Sequence, residues 1–172
     1  MNTKNNTGLL AVCFCATFVY LFSVSSAWAD PDILKEQARD LGQVKELTRK
    51  WLDAYQSGDI ETLMSFYTDE TVIYLGDKAS MHGLKEIRAY FEPRLGASKF
   101  DVIVKDEEFL VHGDLIIHFS LVWISGHITD SNQPFSDAVR SMVMFRLSPD
   151  SGWKIYRDMD QHTKDTDRPI DK

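Results

Sequence analysis

The hydrophobic period of this chain changes once, near Lys99, and that change limits what the chain can fold into. Before it, apolar residues recur every three or four positions, as one face of a helix requires. After it they recur mostly at every second position, as strands require. Leu41, Val44, Leu47, Thr48, Trp51, Leu52 and Tyr55 mark a first helix. Asp30-Pro31-Asp32 opens it and Gly58 stops it, since proline suits a first turn and glycine the left-handed residue that closes a helix. Asp59 caps a second, short helix with Ile60, Leu63, Met64 and Tyr67 inward. Residues 71–75 are rich in β-branched side chains and predict a strand. Leu84, Ile87, Tyr90 and Phe91 mark a third helix, closed by Pro93 and Gly96. Strands are expected over residues 100–111, 115–128, 135–147 and 153–159, with turn chemistry at 112–114, 131–134 and 148–152. Helices first and antiparallel strands afterwards define an α+β domain, its helices packed on one face of a curved sheet. There is no internal repeat and no low-complexity linker.

The N-terminus has a different character. Residues 1–7 are polar with one cation, Lys4. Residues 8–22 are almost wholly apolar, and residues 23–29 are small and end Ala27-Trp28-Ala29. That order predicts a secretory signal peptide over residues 1–29. About 15 apolar residues fall short of the ~20 that a spanning helix needs. A lipidated Cys13 fits poorly, because Val12 is larger than such sites favour and the apolar run continues past it. The expected location is therefore periplasmic or secreted, with no membrane association after cleavage. The domain is expected over residues 30–163, and the charged segment 164–172 is expected to be a disordered tail.

Charge and cysteine usage exclude several functions. The chain has 19 basic and 26 acidic residues and a net charge of −7. Removing residues 1–29 takes away Lys4 and no acid, so the remaining domain is more acidic still. Such a surface argues against nucleic-acid binding, which needs cations to displace counterions, and against anionic membranes. Cys13 and Cys15 both lie in the first 29 residues. The domain therefore has no disulfide, thiol nucleophile or cysteine metal site. His82, His112, His118, His127 and His162 form no closely spaced ligand pair, and no metal is expected. There is no phosphate-binding glycine loop and no G-x-S-x-G elbow.

The strand over 115–125 is apolar on both faces. Leu115, Ile117, Phe119, Leu121 and Trp123 share one face, and Ile116, His118, Ser120, Val122 and Ile124 share the other. Neither face is suited to full exposure. One face can cover the helices or a cavity, and a second copy of the chain is the economical cover for the other. A homodimer through the sheet is expected.

Residues 51–70, WLDAYQSGDIETLMSFYTDE, resemble the first two helices of the nuclear transport factor 2-like superfamily. The shared pattern is an aromatic, an alanine, Gly-Asp, a leucine, a further aromatic and an acidic pair before a strand. Residues 81–87, MHGLKEI, resemble its glycine-led third helix, and residues 152–158, GWKIYRD, its last strand. The resemblance spans residues 41–162. It implies a cone-shaped curved antiparallel sheet packed on three N-terminal helices, with an apolar pocket between them. Superfamily members include isomerases, SnoaL-like cyclases, dehydratases, epoxide hydrolases and an assembly domain without chemistry, so the fold does not decide the function. The residues of the ketosteroid isomerase branch are not kept. Its helix-one tyrosine falls at Trp51, its base aspartate at Tyr74 and its oxyanion aspartate near Val143.

Other groups remain for acid–base work or binding. His118, mid-strand among apolar neighbours, can titrate near neutral pH, or it can be a core histidine satisfied by its neighbours. On the last strand, alternation places Trp153, Ile155, Arg157 and Met159 on one face and Tyr156, Asp158 and Asp160 on the other. The burial expected of Trp153 and Ile155 favours the Arg157 face as the one lining the pocket. His118 and Asp158 are the candidate acid–base residues. Trp51, Tyr55, Tyr74, Trp123, Arg140 and Arg157 are the candidate ligand-binding residues. Tyr67, Tyr90 and Phe91 can add to an aromatic pocket or be plain core. The expectation is an exported domain that binds a small, partly apolar molecule without a cofactor. The alternatives are a cofactor-free isomerase, lyase or hydrolase, and a non-catalytic assembly module.

Overall fold

A computed structural model describes residues 30–76, 78–95 and 98–163. The expected signal peptide and the expected disordered tail lie outside these residues. Helix α1 (Pro31–Ser57) starts where Asp30 accepts from the backbone N–H of Asp32, and it ends at Gly58 in the left-handed conformation, φ 76°. Its 27 residues make it about 40 Å long. Asp59 caps α2 (Ile60–Met64) by accepting from the Thr62 backbone and hydroxyl. Both caps satisfy N–H groups that a helix start leaves open.

Strand β1 (Val72–Leu75) and the two-residue β2 (Met81–His82) precede α3 (Gly83–Leu95). The third helix is led by Gly83, as the resemblance implies, and the two residues before it form a strand. Gly83 makes the switch at φ 71°, where an added Cβ would sit 3.1 Å from the Asp69 carbonyl oxygen. The helix runs through Pro93 to Leu95, so proline does not close it, and Gly96 lies outside the described residues. Four long strands follow: β3 (Ser98–His112), β4 (Leu115–Ile128), β5 (Pro134–Ser148) and β6 (Gly152–His162).

The sheet order is β2-β1-β6-β5-β4-β3. The long strands pair antiparallel, but β1 runs parallel to β6. The sheet is therefore mixed rather than antiparallel, because the chain returns at its end to the free edge of an early strand. It is curved and unclosed, with the three helices packed on it. Their inner faces bury Val44, Leu63 and Ile87 completely, together with Ile73 and Ile116 of the sheet, and Phe145 and Ile155 almost so. Among the described residues no helix is long and apolar enough to cross a membrane.

Two bulges shape the sheet. One lies in β3 between Lys105 and Glu108. In the other, Phe145 and Met144 of β5 face Ile155 and Arg157 of β6, so Tyr156 is the extra residue. A bulge bends its strand and shifts the phase of alternation by one.

Candidate functional site

Between the sheet and the helices lies a cavity of about 400 Å³. Strand register places its inward side chains in rows. The closed end is Ile116, Phe145 and Ile155. The next row runs Phe109, His118, Val143, Asp158 and Ile73 across five strands. The one above it runs Ser120, Ser141, Asp160 and Leu75. Val104, Val122, Val139 and His162 follow, then Val102, Ile124 and Asp137 towards the mouth. The sheet wall is apolar at its closed end, crossed by a two-row polar belt, and mixed at the mouth, where Asp137 and His162 stand among valines and Ile124. The helices supply the facing wall, with Trp51, Tyr55, Tyr90 and Phe91, and Phe100 of β3 joins it.

The belt depends on the β6 bulge. Trp153 and Ile155 are buried, as unbroken alternation requires, but Tyr156 then adds one residue and the phase reverses. Asp158 is 7% exposed while Met159 is 42% exposed. The cavity is lined by Asp158, Asp160 and His162, not by Arg157. Sequence alternation made the two faces exclusive, and the extra residue lets Ile155 and Asp158 share one. Arg157 turns outward. It donates to the carbonyls of Glu70 and Tyr156 at 3.0 and 2.6 Å, and its guanidinium lies 3.7 Å from the Tyr156 ring centroid. Arg146, paired with Glu70, covers the same ring at 3.9 Å.

Three further expected ligand contacts lie outside the cavity lining. Tyr74 is exposed, because on β1 the inward phase belongs to Ile73 and Leu75. Trp123 belongs to the outer face of β4, where Lys105 approaches its ring at 6.0 Å. Arg140 is exposed on the outer face of β5, opposite Leu121 and Gln161. Phe119 and Met144 are likewise absent from the lining and do not fill the chamber. Trp51, Tyr55, His118 and Asp158 do line it. Trp51 donates from its indole N–H to the Tyr67 hydroxyl at 2.7 Å and stacks on Tyr55 at 5.1 Å.

Burial sets the electrostatics. The Asp158 carboxyl is pushed well above the ordinary aspartate range, first by burial and then by Asp160 beside it. Asp160 is also raised by burial, but the Ser141 hydroxyl and His162 pull it back. His118 is 3% exposed and is shifted down by burial, which Glu107 opposes. Nε2 of His118 lies 3.0 Å from Glu107 Oε1 but has no hydrogen-bond partner, so Glu107 acts on it as a neighbouring charge. The His118 ring stacks on Phe109 at 4.2 Å. Burial also raises the Tyr55 phenol to about 12. At the mouth, Asp137 takes Nδ1 of His162 at 2.9 Å. Asp160, Ser120, Ser141 and the Asp137–His162 pair also line the cavity, without a sequence signal that singled them out. Their inward phase on β4 and β5 follows from alternation, but on β6 it requires the bulge.

The SnoaL-like domain family matches residues 48–156, and the chain belongs to that family. Asp158, Asp160 and His162 lie beyond the matched segment. Solved structures share the fold. A conserved protein from Planctomyces limnophilus is 19% identical with a TM-score of 0.67, covering 73% of this chain and 99% of its own. A nuclear transport factor 2-like superfamily protein from Salmonella enterica is 14% identical with a TM-score of 0.68, covering 77% and 97%. A type 2 hexachlorocyclohexane dehydrochlorinase is 14% identical with a TM-score of 0.65, covering 77% and 89%. A search of curated proteins finds no match.

Proposed function

We propose that the chain binds a small, partly apolar molecule in the cone chamber. The carrying observation is an apolar cavity of about 400 Å³ crossed by a convergent polar belt, the usual form of a small-molecule site. Burial favours the protonated form of Asp158, which can act in the belt as a hydrogen-bond donor. Calorimetric titration with cyclohexanone or benzyl alcohol tests this. Binding is expected to the native protein and to be lost in Val143→Trp, which fills the chamber. No binding of either probe contradicts the reading.

A second reading is favoured by one observation. His118 and Asp158 stand in one row on either side of Val143, about 10 Å apart between backbones. A substrate between them would meet a neutral imidazole as base and a protonated carboxyl as acid, the pairing a cofactor-free isomerase or lyase needs. The shared fold with a dehydrochlorinase supports this. Loss of turnover in both His118→Gln and Asp158→Asn, with binding retained, is the expected signature.

The outer sheet face carries Ile103, Leu110 and Met159, all more than 40% exposed, and supports a homodimer through that face. Sedimentation at micromolar concentration is expected to show a dimer, and monomer alone removes the idea. The N-terminal segment supports export, and the mass of protein recovered from the periplasm or medium is expected to begin at Asp30.

A further inference from the structure

We propose that the molecule held in the chamber is an organic cation, a protonated amine. Its N–H groups would meet Asp160, and its apolar body would lie against the Trp51–Tyr55–Phe100 wall. This rests on the chamber reading above and narrows it to a ligand class.

The charged and titratable groups facing the cavity are Asp137, Asp158, Asp160, His118, His162, Lys78 and Arg94. Most are already engaged. Asp137 holds His162. Arg94 donates to the Tyr90 carbonyl at 2.5 Å and its guanidinium lies 3.8 Å from the Tyr90 ring centroid, at the end of its own helix. Lys78 sits in the loop after β1 and has an interaction of its own. His118 is buried and shifted towards the neutral form. What remains in the middle of the chamber is the carboxyl pair Asp158 and Asp160.

Two carboxyls on one face, two residues apart, resist ionising together. Asp158 is the more deeply buried and keeps the proton. Asp160 is raised too, first by burial, but Ser141 and His162 oppose that shift, so Asp160 is the member of the pair that ionises first. Asp160 Oδ1 is buried and accepts no hydrogen bond. Asp158 is 7% exposed, and the influences on its carboxyl are burial and Asp160. Buried polar atoms left in that state oppose folding unless a partner arrives.

The ligand's charge follows by elimination. A hydrocarbon satisfies the walls but leaves the Asp160 carboxylate without a counter-charge. A carboxylate brings a second negative charge beside the first. An alcohol donates to the carboxylate without neutralising it. An ammonium does both, and charge-assisted bonds are roughly twice as strong as neutral ones. The facing wall suits it as well. Tyr55 stacks on Trp51 at 5.1 Å and tilts onto Phe100 at 4.9 Å, and aromatic faces attract cations.

The test is calorimetric titration at pH 7 with benzylamine, benzyl alcohol and benzoate, which share one apolar body. The expected result is benzylamine at least ~10-fold tighter than benzyl alcohol, with benzoate weakest. In Asp160→Asn, benzylamine is expected to lose its margin over the alcohol, and an unchanged circular dichroism spectrum shows that the variant is folded. Alcohol or benzoate binding as tightly as the amine in the native protein overturns the cation and leaves the chamber reading standing. An amine preference that survives in Asp160→Asn also overturns the assignment. No binding of any of the three removes the chamber reading itself.

Discussion

The two halves of β6 belong to one strand and face one interior, yet they do opposite things. Residues before Tyr156 send Trp153 and Ile155 into the packed closed end of the cone. Residues after it send Asp158 and Asp160 into a hollow. The difference is one inserted residue opposite the Met144–Phe145 step of β5. Without it, the alternation that buries Ile155 would carry Arg157 and Met159 inward and the two carboxyls out. The bulge lets a strand begin as core and continue as site. It also supplies an outer face with its own purpose, since Tyr156 is held there between Arg146 and Arg157.

The largest expected effect that separates the two halves is on stability. Ile155→Ala, at 3% exposure, is expected to cost about 2–5 kcal/mol in denaturant unfolding. Asp158→Asn, two ladder steps away, is expected to cost little or to stabilise at neutral pH. Equal losses from both would erase the distinction drawn here.

Next in size is the pH dependence of that second half. The folded-state pKa of Asp158 lies above its unfolded value, so the folded state binds the extra proton between the two. Its stabilising contribution is full below the unfolded pKa and is lost as pH rises through the folded one. Thermal melts of the native protein should therefore weaken on the alkaline side, and Asp158→Asn should flatten that decline. His118 works with the opposite sign, since burial lowers its pKa. Its contribution is full above the unfolded histidine pKa and is lost as pH falls towards the folded value. His118→Gln should flatten the acid side of the same curve.

The smallest expected effect comes from the outer face of the bulge. Tyr156→Ala removes two exposed guanidinium contacts and should cost about 1 kcal/mol. It should leave chamber binding unchanged. A binding defect in this variant would mean that the side chain, and not only the extra residue, positions the carboxyls.

Much of the fold was legible because its signals are local. Asp30, Gly58 and Asp59 are caps that act on residues within one turn, and the turns at Gly113 and Gly152 have the positive φ that glycine supplies. The strand over residues 115–128 needed only its alternation. The parallel union of β1 with β6 was not legible, because it joins Ile73 to Asp158 across most of the domain and has no local marker. Nor was β2, which exists only as the partner of β1. In the site, Trp51, Tyr55 and His118 were reached through period and residue type, and Asp158 through the resemblance of the last strand, since period alone placed it on the face away from the pocket. Arg157 was misplaced because Gly-Trp-Lys-Ile-Tyr-Arg-Asp looks like an unbroken strand. The extra residue shows only when the register with β5 is seen.

A titration of the side-chain carboxyls by carbon-13 nuclear magnetic resonance, with Asp158→Asn as the assignment control, tests whether the bulge buries Asp158 in the chamber. One resonance is expected with a midpoint far above the usual aspartate value of about 3.9, and it should vanish in the variant. If every aspartate titrates at or below that value, Asp158 stands in water and the bulge does not turn it into a chamber.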